Sequence, residues 1–181
     1  MKKSFGLLAL LALVFATSAA AQAPMSIGVY FDTAGTQCSK TVAGGPDEDP
    51  FDAYVIAFAE MVVGGAAFKL DKDPAIVVTG VAYPAGIQIG DILTGIEIGL
   101  TNPQIGYFGN PVRLATLTIW PGMQIIPYGR LNIVPWSPNY NAVILSDQNG
   151  VLSPAVGHCA WLNIPVPEQQ TSWGDVKNLY Q

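Results

Sequence analysis

Histidine and cysteine are the scarcest reactive residues of this 181-residue chain, with one histidine and two cysteines. The single histidine, His158, cannot build a zinc site unless carboxylates supply the other ligands. No serine stands in a G-x-S-x-G sequence that would mark it as a nucleophile. Neither Cys38 nor Cys159 belongs to a C-x-x-C pair, which argues against redox catalysis. We therefore predict that the protein is not an enzyme.

Charged residues are also few, at 12% of the chain, and the balance is acidic, with 8 Lys and Arg against 13 Asp and Glu. Binding to nucleic acid depends on basic side chains that neutralise phosphates. Attraction to an anionic membrane surface has the same requirement. The composition therefore predicts no nucleic-acid partner and no attraction to such a surface.

The first 21 residues have the pattern of a cleavable secretory signal peptide. Lys2 and Lys3 give a basic start, an apolar run follows over residues 5–15, and Ala19 and Ala21 fit the small positions of a cleavage site. The run is too short to span about 30 Å of hydrocarbon comfortably. We expect export to the medium, the cell surface or the periplasm, with no membrane span after cleavage.

Short apolar runs with β-branched residues predict strands through the rest of the chain. Residues 54–61 are apolar on both faces, which favours a central strand, and Gly64 and Gly65 are expected to end that region. Pro127 and Pro135 favour an edge or bulged position for their strand. The predicted strands cover residues 25–32, 54–61, 66–70, 75–83, 94–100, 112–120, 124–135, 141–146 and 159–164, with a weaker one over 151–156.

Turn residues separate these runs, and no helical periodicity lies between them. Asn149-Gly150 is a strong hairpin signal because both residues tolerate positive φ. The pattern predicts an all-β domain over residues 22–164, an antiparallel β-sandwich of the immunoglobulin-like or jelly-roll type.

The C-terminal residues 165–181 have a different character. Pro165 and Pro167 predict a stiff linker. Ser172 begins a short helix whose Trp173, Val176 and Tyr180 share one face. This tail is either a recognition element for a sorting or attachment partner, with Trp173 as its anchor, or a helix packed on its own domain.

Two groups of side chains are candidates for binding. Tyr128, Trp136 and Tyr140 lie in or beside a proline-rich stretch and could stack on the sugar rings of a polysaccharide, although burial in the core explains aromatics equally well. The carboxylates Asp47, Glu48, Asp49 and Asp52 form an acidic loop. They could hold Ca²⁺, the one cofactor considered, or simply be solvated.

The two cysteines are the last candidate pair. In an exported protein, a disulfide between Cys38 and Cys159 is favoured over two free thiols, and it would tie the first strand to the last. Buried free thiols are the alternative.

Several segments together resemble known proteins. These are Ile27–Asp32 with Cys38 after it, Gly65–Leu70, Leu114–Leu117, and Ser172–Lys177 in the tail. They are similar to a group of uncharacterised small secreted proteins of environmental bacteria that share a TSWGxVK-like tail. More distantly, Gly65–Leu70 and the stretch after it resemble cohesin domains. That resemblance implies a jelly-roll sandwich that binds partner modules, and it implies no catalytic residue.

The leading hypothesis is a secreted, non-enzymatic β-sandwich used for extracellular binding, adhesion or assembly, with a protein or a polysaccharide as partner. A carbohydrate-binding module is the first alternative. A secreted hydrolase that uses two carboxylates of the acidic loop is the second.

Overall fold

Eleven β-strands make up all the regular secondary structure in the described part of the chain. The structure, a computed structural model, describes residues 25–42, 49–106, 110–120, 128–136 and 139–163. In chain order the strands are β1 Ser26–Tyr30, β2 Ser39–Lys40, β3 Phe51–Phe58, β4 Met61–Lys72, β5 Val77–Ala82, β6 Gly86–Asp91, β7 Gly95–Gly106, β8 Val112–Trp120, β9 Gly129–Val134, β10 Val143–Asp147 and β11 Leu152–Leu162. The predicted all-β class is confirmed.

Three predictions concern segments outside the described residues. These are the signal peptide over residues 1–21, the linker and helix over residues 165–181, and the carboxylates Asp47 and Glu48. They stay predictions. Within the described residues, no helix has the length and apolar character needed to cross a membrane.

The strands form two sheets that share β11. The hydrogen-bonded order is β5-β8-β3-β1-β11-β10-β4-β7-β6. We call the part from β5 to β11 the first sheet and the part from β11 to β6 the second sheet. Strand β9 also pairs with β11 and β4, and β2 pairs with β11. The result is a jelly-roll-like sandwich in which β5 and β6 are the two ends of the strand order.

The sheets are mixed, so the prediction of a purely antiparallel sandwich is wrong. β1 runs parallel to β11, with Ile27 opposite Gly157, and β2 is also parallel to β11. A hairpin forces neighbouring strands to be antiparallel, but no hairpin joins β1 to β11. Their relative direction is set by how the two ends of the domain meet, which the local sequence does not record.

Strand β9 is neither at an edge nor bulged in its described pairings, contrary to the prediction of one or the other. It lies between β11 and β4 and pairs with both. Pro135 comes directly after the last strand residue, Val134, so the ladder does not need a backbone N–H from it. Pro127 is outside the described residues.

The core fills the space between the two sheets. Leu114, Leu117 and Ile119 of β8 are fully buried on one side, and Phe68 and Leu70 of β4 are buried on the other. Burial of this kind is the main favourable term in folding. The central strand predicted over residues 54–61 is confirmed as β3, which lies between β1 and β8 and buries successive residues, but it ends at Phe58, and Met61 begins β4.

The two glycines of β4 do not end a strand, as the sequence suggested, but lie inside one of 12 residues. A Cβ atom at Gly64 would stand 2.4 Å from the carbonyl oxygen of Asp147, and one at Gly65 would stand 2.4 Å from that of Ile98. Glycine is therefore needed here for close approach of neighbouring backbones. The pairing with β7 shifts register between Val63 and Gly65.

The predicted hairpin at Asn149-Gly150 is confirmed. Gly150 has φ of 81°, and the Asp147 N–H donates to the Val151 carbonyl at 3.0 Å. The Asp147 carboxylate accepts the N–H groups of Val151 and Asn149, each at 2.8 Å. These bonds stabilise the ionised form and hold the pKa of Asp147 below its usual value.

The predicted disulfide is absent, and Cys38 and Cys159 are free thiols. The prediction that the two chain segments meet is correct, since the Trp161 N–H donates to the Cys38 carbonyl at 2.9 Å. However, Ser39 pairs with Trp161 in the parallel β2–β11 ladder. The preceding residue, Cys38, is therefore opposite Ala160 and not opposite Cys159. Cys38 is exposed, whereas Cys159 is half-buried.

Candidate functional site

The outer face of the second sheet carries two rows of residues that run straight across five strands. Strand register defines both rows, and side chains at paired positions lie on the same face. The first row is Leu152, Ser146, Gly65, Gly99 and Ile87. The second row is Pro154, Ile144, Ala67, Glu97 and Ile89.

These rows form a trough with a floor of small residues and walls of large apolar ones. The middle of the floor is Gly65, Gly99 and Ala67. One wall is Ile87 and Ile89 of β6, which are 71% and 58% exposed. The opposite wall is Leu152, Pro154 and Ile144 of β11 and β10. A depression of about 100 Å³ lies against that wall. We call this feature the trough.

Glu97 is the only charged residue in the two rows, and an aromatic pair holds it. The Tyr140 hydroxyl donates to Glu97 Oε1 at 3.0 Å, and the Tyr140 ring packs on Trp136 with 6.5 Å between ring centroids. The Trp136 indole lies over Gly95, at the start of the strand that carries Glu97. Both aromatic residues are half-buried, so the pair fixes a carboxylate inside the trough, between Ala67 and Ile89.

The electrostatic effect of this contact falls on the tyrosine. The hydrogen bond to the Glu97 carboxylate and partial burial both raise the pKa of Tyr140 above its usual value. Tyr140 is therefore neutral and available as a donor at any physiological pH. In this arrangement it orients Glu97 and does not act as a base.

A second cavity, of about 440 Å³, lies where β4, β9 and β11 meet. Tyr128, 57% exposed, and Trp161 line it together with an ion pair in which Arg130 Nη2 lies 3.5 Å from Asp71 Oδ2. Both partners of the ion pair are about half exposed, so its contribution to stability is small. We call this feature the Tyr128 cavity.

The structure thus divides the predicted aromatic residues between two places. Trp136 and Tyr140 pack against each other beside the trough, whereas Tyr128 lines the separate cavity. Trp173 is outside the described residues. Their role in binding stays a prediction. Trp161 was not among the predicted site residues, because it lies inside a predicted strand.

The predicted carboxylate site is only partly described. Asp52 accepts a hydrogen bond from the Thr118 hydroxyl at 3.4 Å, and Asp49 is exposed. In the ranges that the structure describes, no three side chains of His, Cys, Asp or Glu come together as a metal site would require. Since Asp47 and Glu48 lie outside those ranges, Ca²⁺ binding and the hydrolase hypothesis remain untested.

The two sheets define a jelly-roll-like β-sandwich, and comparison with solved structures narrows this to a cohesin-like fold. The chain is similar to the cohesin module of a family 33 glycoside hydrolase from Clostridium perfringens, with TM-score 0.54, 8% identity, and coverage of 77% of this chain and 95% of that one. It is similar to a type II cohesin domain from the cellulosome of Acetivibrio cellulolyticus, with TM-score 0.53, 16% identity, and coverage of 78% and 96%.

A third similar structure is the third ScaB cohesin of R. flavefaciens, solved in complex with a group 1 dockerin, with TM-score 0.53, 12% identity, and coverage of 81% and 99%. No family model matches the sequence, and no curated protein does. The distant resemblance to cohesins is therefore confirmed at the level of the fold. The resemblance to uncharacterised secreted bacterial proteins stays a prediction.

Proposed function

We propose that this protein is a non-enzymatic, exported binding module that takes the apolar face of a partner protein's helix into the trough. The observation that carries the proposal is the shape of the outer face, a glycine and alanine floor between two exposed aliphatic walls. Contiguous apolar patches larger than about a few hundred Å² are rare on monomeric soluble proteins and often mark binding sites. Helix-in-groove docking uses this kind of surface.

The dimensions of the trough suit a helix. Neighbouring strands lie about 4.8 Å apart, so the three spacings from β10 to β6 measure about 14 Å. An α-helix with its side chains is about 10–12 Å across. Gly99 lies in the middle of this span, and the nearest atom to a Cβ added there would be Ile87 Cβ at 4.0 Å. Gly99 is exposed, so the floor is open at this point, whereas Gly65 and Ala67 are buried.

Glu97 adds specificity to an otherwise apolar surface. Tyr140 already holds its carboxylate in place, so a partner donor would lose little conformational entropy in meeting it. We expect the docked helix to carry Lys or Arg at that point. A protein partner also agrees with the R. flavefaciens cohesin, which was solved with a dockerin bound.

Gly99→Val tests this function, because it adds a side chain to the exposed part of the floor, where a Cβ would lie 4.0 Å from its nearest neighbour, Ile87 Cβ. Gly80→Val is the matched control, since a Cβ at Gly80 on the first sheet meets only ordinary contacts with Thr118 at 3.6 Å. The probe is a photo-activatable benzophenone side chain that replaces Leu152 in the trough wall. The labelled protein is mixed with culture proteins of the source organism and irradiated to form a crosslink. We expect one polypeptide adduct, abolished by Gly99→Val and kept in Gly80→Val.

The adduct then supplies a defined ligand for calorimetry. With that protein purified, Gly99→Val should weaken binding about 10- to 100-fold, since overpacking a fitted surface costs about 1–3 kcal/mol. Equal adducts from both glycine variants, or equal affinities, would show that the partner does not use the trough.

The Tyr128 cavity supports a second candidate function, that of a carbohydrate-binding module. Two aromatic rings beside the exposed Arg130–Asp71 ion pair line a concave site in which a small polar ligand could bind. The probes are xylan, barley β-glucan and pectin, each cast into a native gel. The candidate is supported if a gel retards the wild-type protein and the Trp136→Ala variant but not the Tyr128→Ala variant. Unretarded migration in all three gels counts against it.

A further inference from the structure

Strand β6 is a free sheet edge with an unusual sequence. Among the described strands it pairs only with β7. Its first five residues, Gly86-Ile87-Gln88-Ile89-Gly90, read the same in both directions and carry no charge. Natural proteins usually protect such edges with charged side chains, proline or a bulge. Strand β5, at the opposite end of the strand order, has a register shift between Val78 and Gly80, whereas the β6–β7 pairing has none, with Gly90 near its end at φ of 93°.

The backbone of β6 has hydrogen-bonding groups directed away from the sheet. The Thr101 N–H donates to the Ala85 carbonyl at 3.0 Å, so the Ala85 carbonyl faces β7. Backbone groups of successive strand residues alternate in direction. The N–H and C=O groups of Gly86 and Gln88 therefore face the open edge, where a further strand can pair with them.

We propose that two copies of this protein associate through antiparallel pairing of their β6 strands, with the two-fold axis at Gln88. An antiparallel two-fold contact pairs each residue with its mirror position in the sequence, which requires a self-complementary surface. The palindrome supplies that surface. Gln88 meets Gln88 of the second copy, Ile87 meets Ile89, and Gly86 meets Gly90.

The side chains support this register. Ile87 and Ile89 are both on the outer face and strongly exposed, so the dimer buries two apolar cross-strand pairs. The two Gln88 amides can bond each other. Asp91 of one copy falls opposite Ala85 of the other, so no like charges face each other in an otherwise acidic chain. The paired second sheets then form one continuous sheet with two troughs side by side.

The contact is small compared with a standard interface of about 800 Å² per partner, so a weak dimer is expected, with dissociation constant on the order of 10–100 μM. Sedimentation equilibrium over about 1–500 μM should show a monomer–dimer equilibrium in the full chain.

Gln88→Pro removes a backbone N–H that faces the open edge, so this variant should be monomeric. Its melting temperature shows whether the fold is kept. Ile105→Lys is the matched control, since Ile105 is 56% exposed on β7 beyond the pairing with β6.

Charged substitutions at positions 87 and 89 test the register of the β6–β6 pairing. They do not depend on whether the Gln88→Pro variant folds. Ile87→Glu and Ile89→Lys should each weaken the homodimer at least fivefold. Their mixture should form a heterodimer, since position 87 of one copy faces position 89 of the other. The mixture of Ile87→Glu with Ile87→Lys should not recover, because those positions do not face each other.

A wild-type protein that stays monomeric at the highest concentration would overturn the proposal. So would a dimer that Gln88→Pro and both charge variants leave unchanged. Gly99→Val, which tests the trough, should leave dimerisation intact, so failure of this inference and failure of the proposed function are distinguishable.

Discussion

Replacing Phe68 with alanine lowers the free energy of unfolding by about 3–5 kcal/mol, the largest effect that we expect from a single substitution in this protein. Phe68 is fully buried, and it has the largest volume of the fully buried side chains in the described residues. It lies on β4, between β10 and β7 in the second sheet, and its ring packs into the cluster that joins both sheets. Truncation removes those contacts and leaves a cavity, because a β-sandwich cannot easily collapse around it.

Urea unfolding followed by tryptophan fluorescence measures this effect. The transition midpoint should fall while the slope stays the same, since the surface exposed on unfolding hardly changes. Ile105→Ala is the control, because Ile105 is already 56% exposed. It should shift the free energy of unfolding by less than about 1 kcal/mol. A Phe68→Ala loss as small as that of the control would contradict the packing described for the core.

Gly95→Ala should be the next most damaging change, lowering the free energy of unfolding by about 2–4 kcal/mol through two separate penalties. Gly95 has φ of 130°, which L residues with a side chain rarely adopt. A Cβ there would also lie 1.9 Å from Trp136 Cδ1, so the indole must move. Displacing Trp136 disturbs its contact with Tyr140, and hence the group that holds Glu97.

A double-mutant cycle separates the two penalties. In a Trp136→Ala background the steric part of the Gly95→Ala effect disappears and only the backbone strain remains. The second substitution should then cost about 1–2 kcal/mol less than it does alone. Strict additivity of the two substitutions would contradict the contact between Gly95 and the indole. A shift in Trp136 fluorescence in the Gly95→Ala protein gives an independent measure of the displaced ring.

Strands with one buried and one exposed face were predictable from the sequence. β8 was placed correctly at Val112–Trp120 because its apolar side chains alternate. The hairpin at Asn149-Gly150 was placed correctly because Gly150 takes the positive φ that the turn requires, although Asn149 does not. β6 was missed because no strand was predicted between residues 83 and 94, although Ile87 and Ile89 alternate as strand residues do. The segments predicted separately at 151–156 and 159–164 form one strand, β11.

The candidate site was much less accessible to sequence reasoning. Trp136 and Tyr140 were identified, but the trough depends on Gly65, Gly99 and Ala67, whose importance comes from having little or no side chain. These residues meet only through the register of strands that are distant in sequence, and register is set by tertiary packing. The contact between Tyr140 and Glu97 spans 43 positions, so no local pattern indicates it.

The pairing of β1 with β11 also bears on when the protein can fold. Ser26 is opposite Val156. About 130 further residues must therefore be synthesised after β1 before its parallel neighbour is available for pairing. Contacts between such distant residues slow folding, because a large loop must close before they form. A chain that crosses a membrane through a narrow channel, as the predicted leader over residues 1–21 implies, benefits from that delay. The sandwich cannot close until β11 has been synthesised, because β1 lacks its parallel neighbour until then.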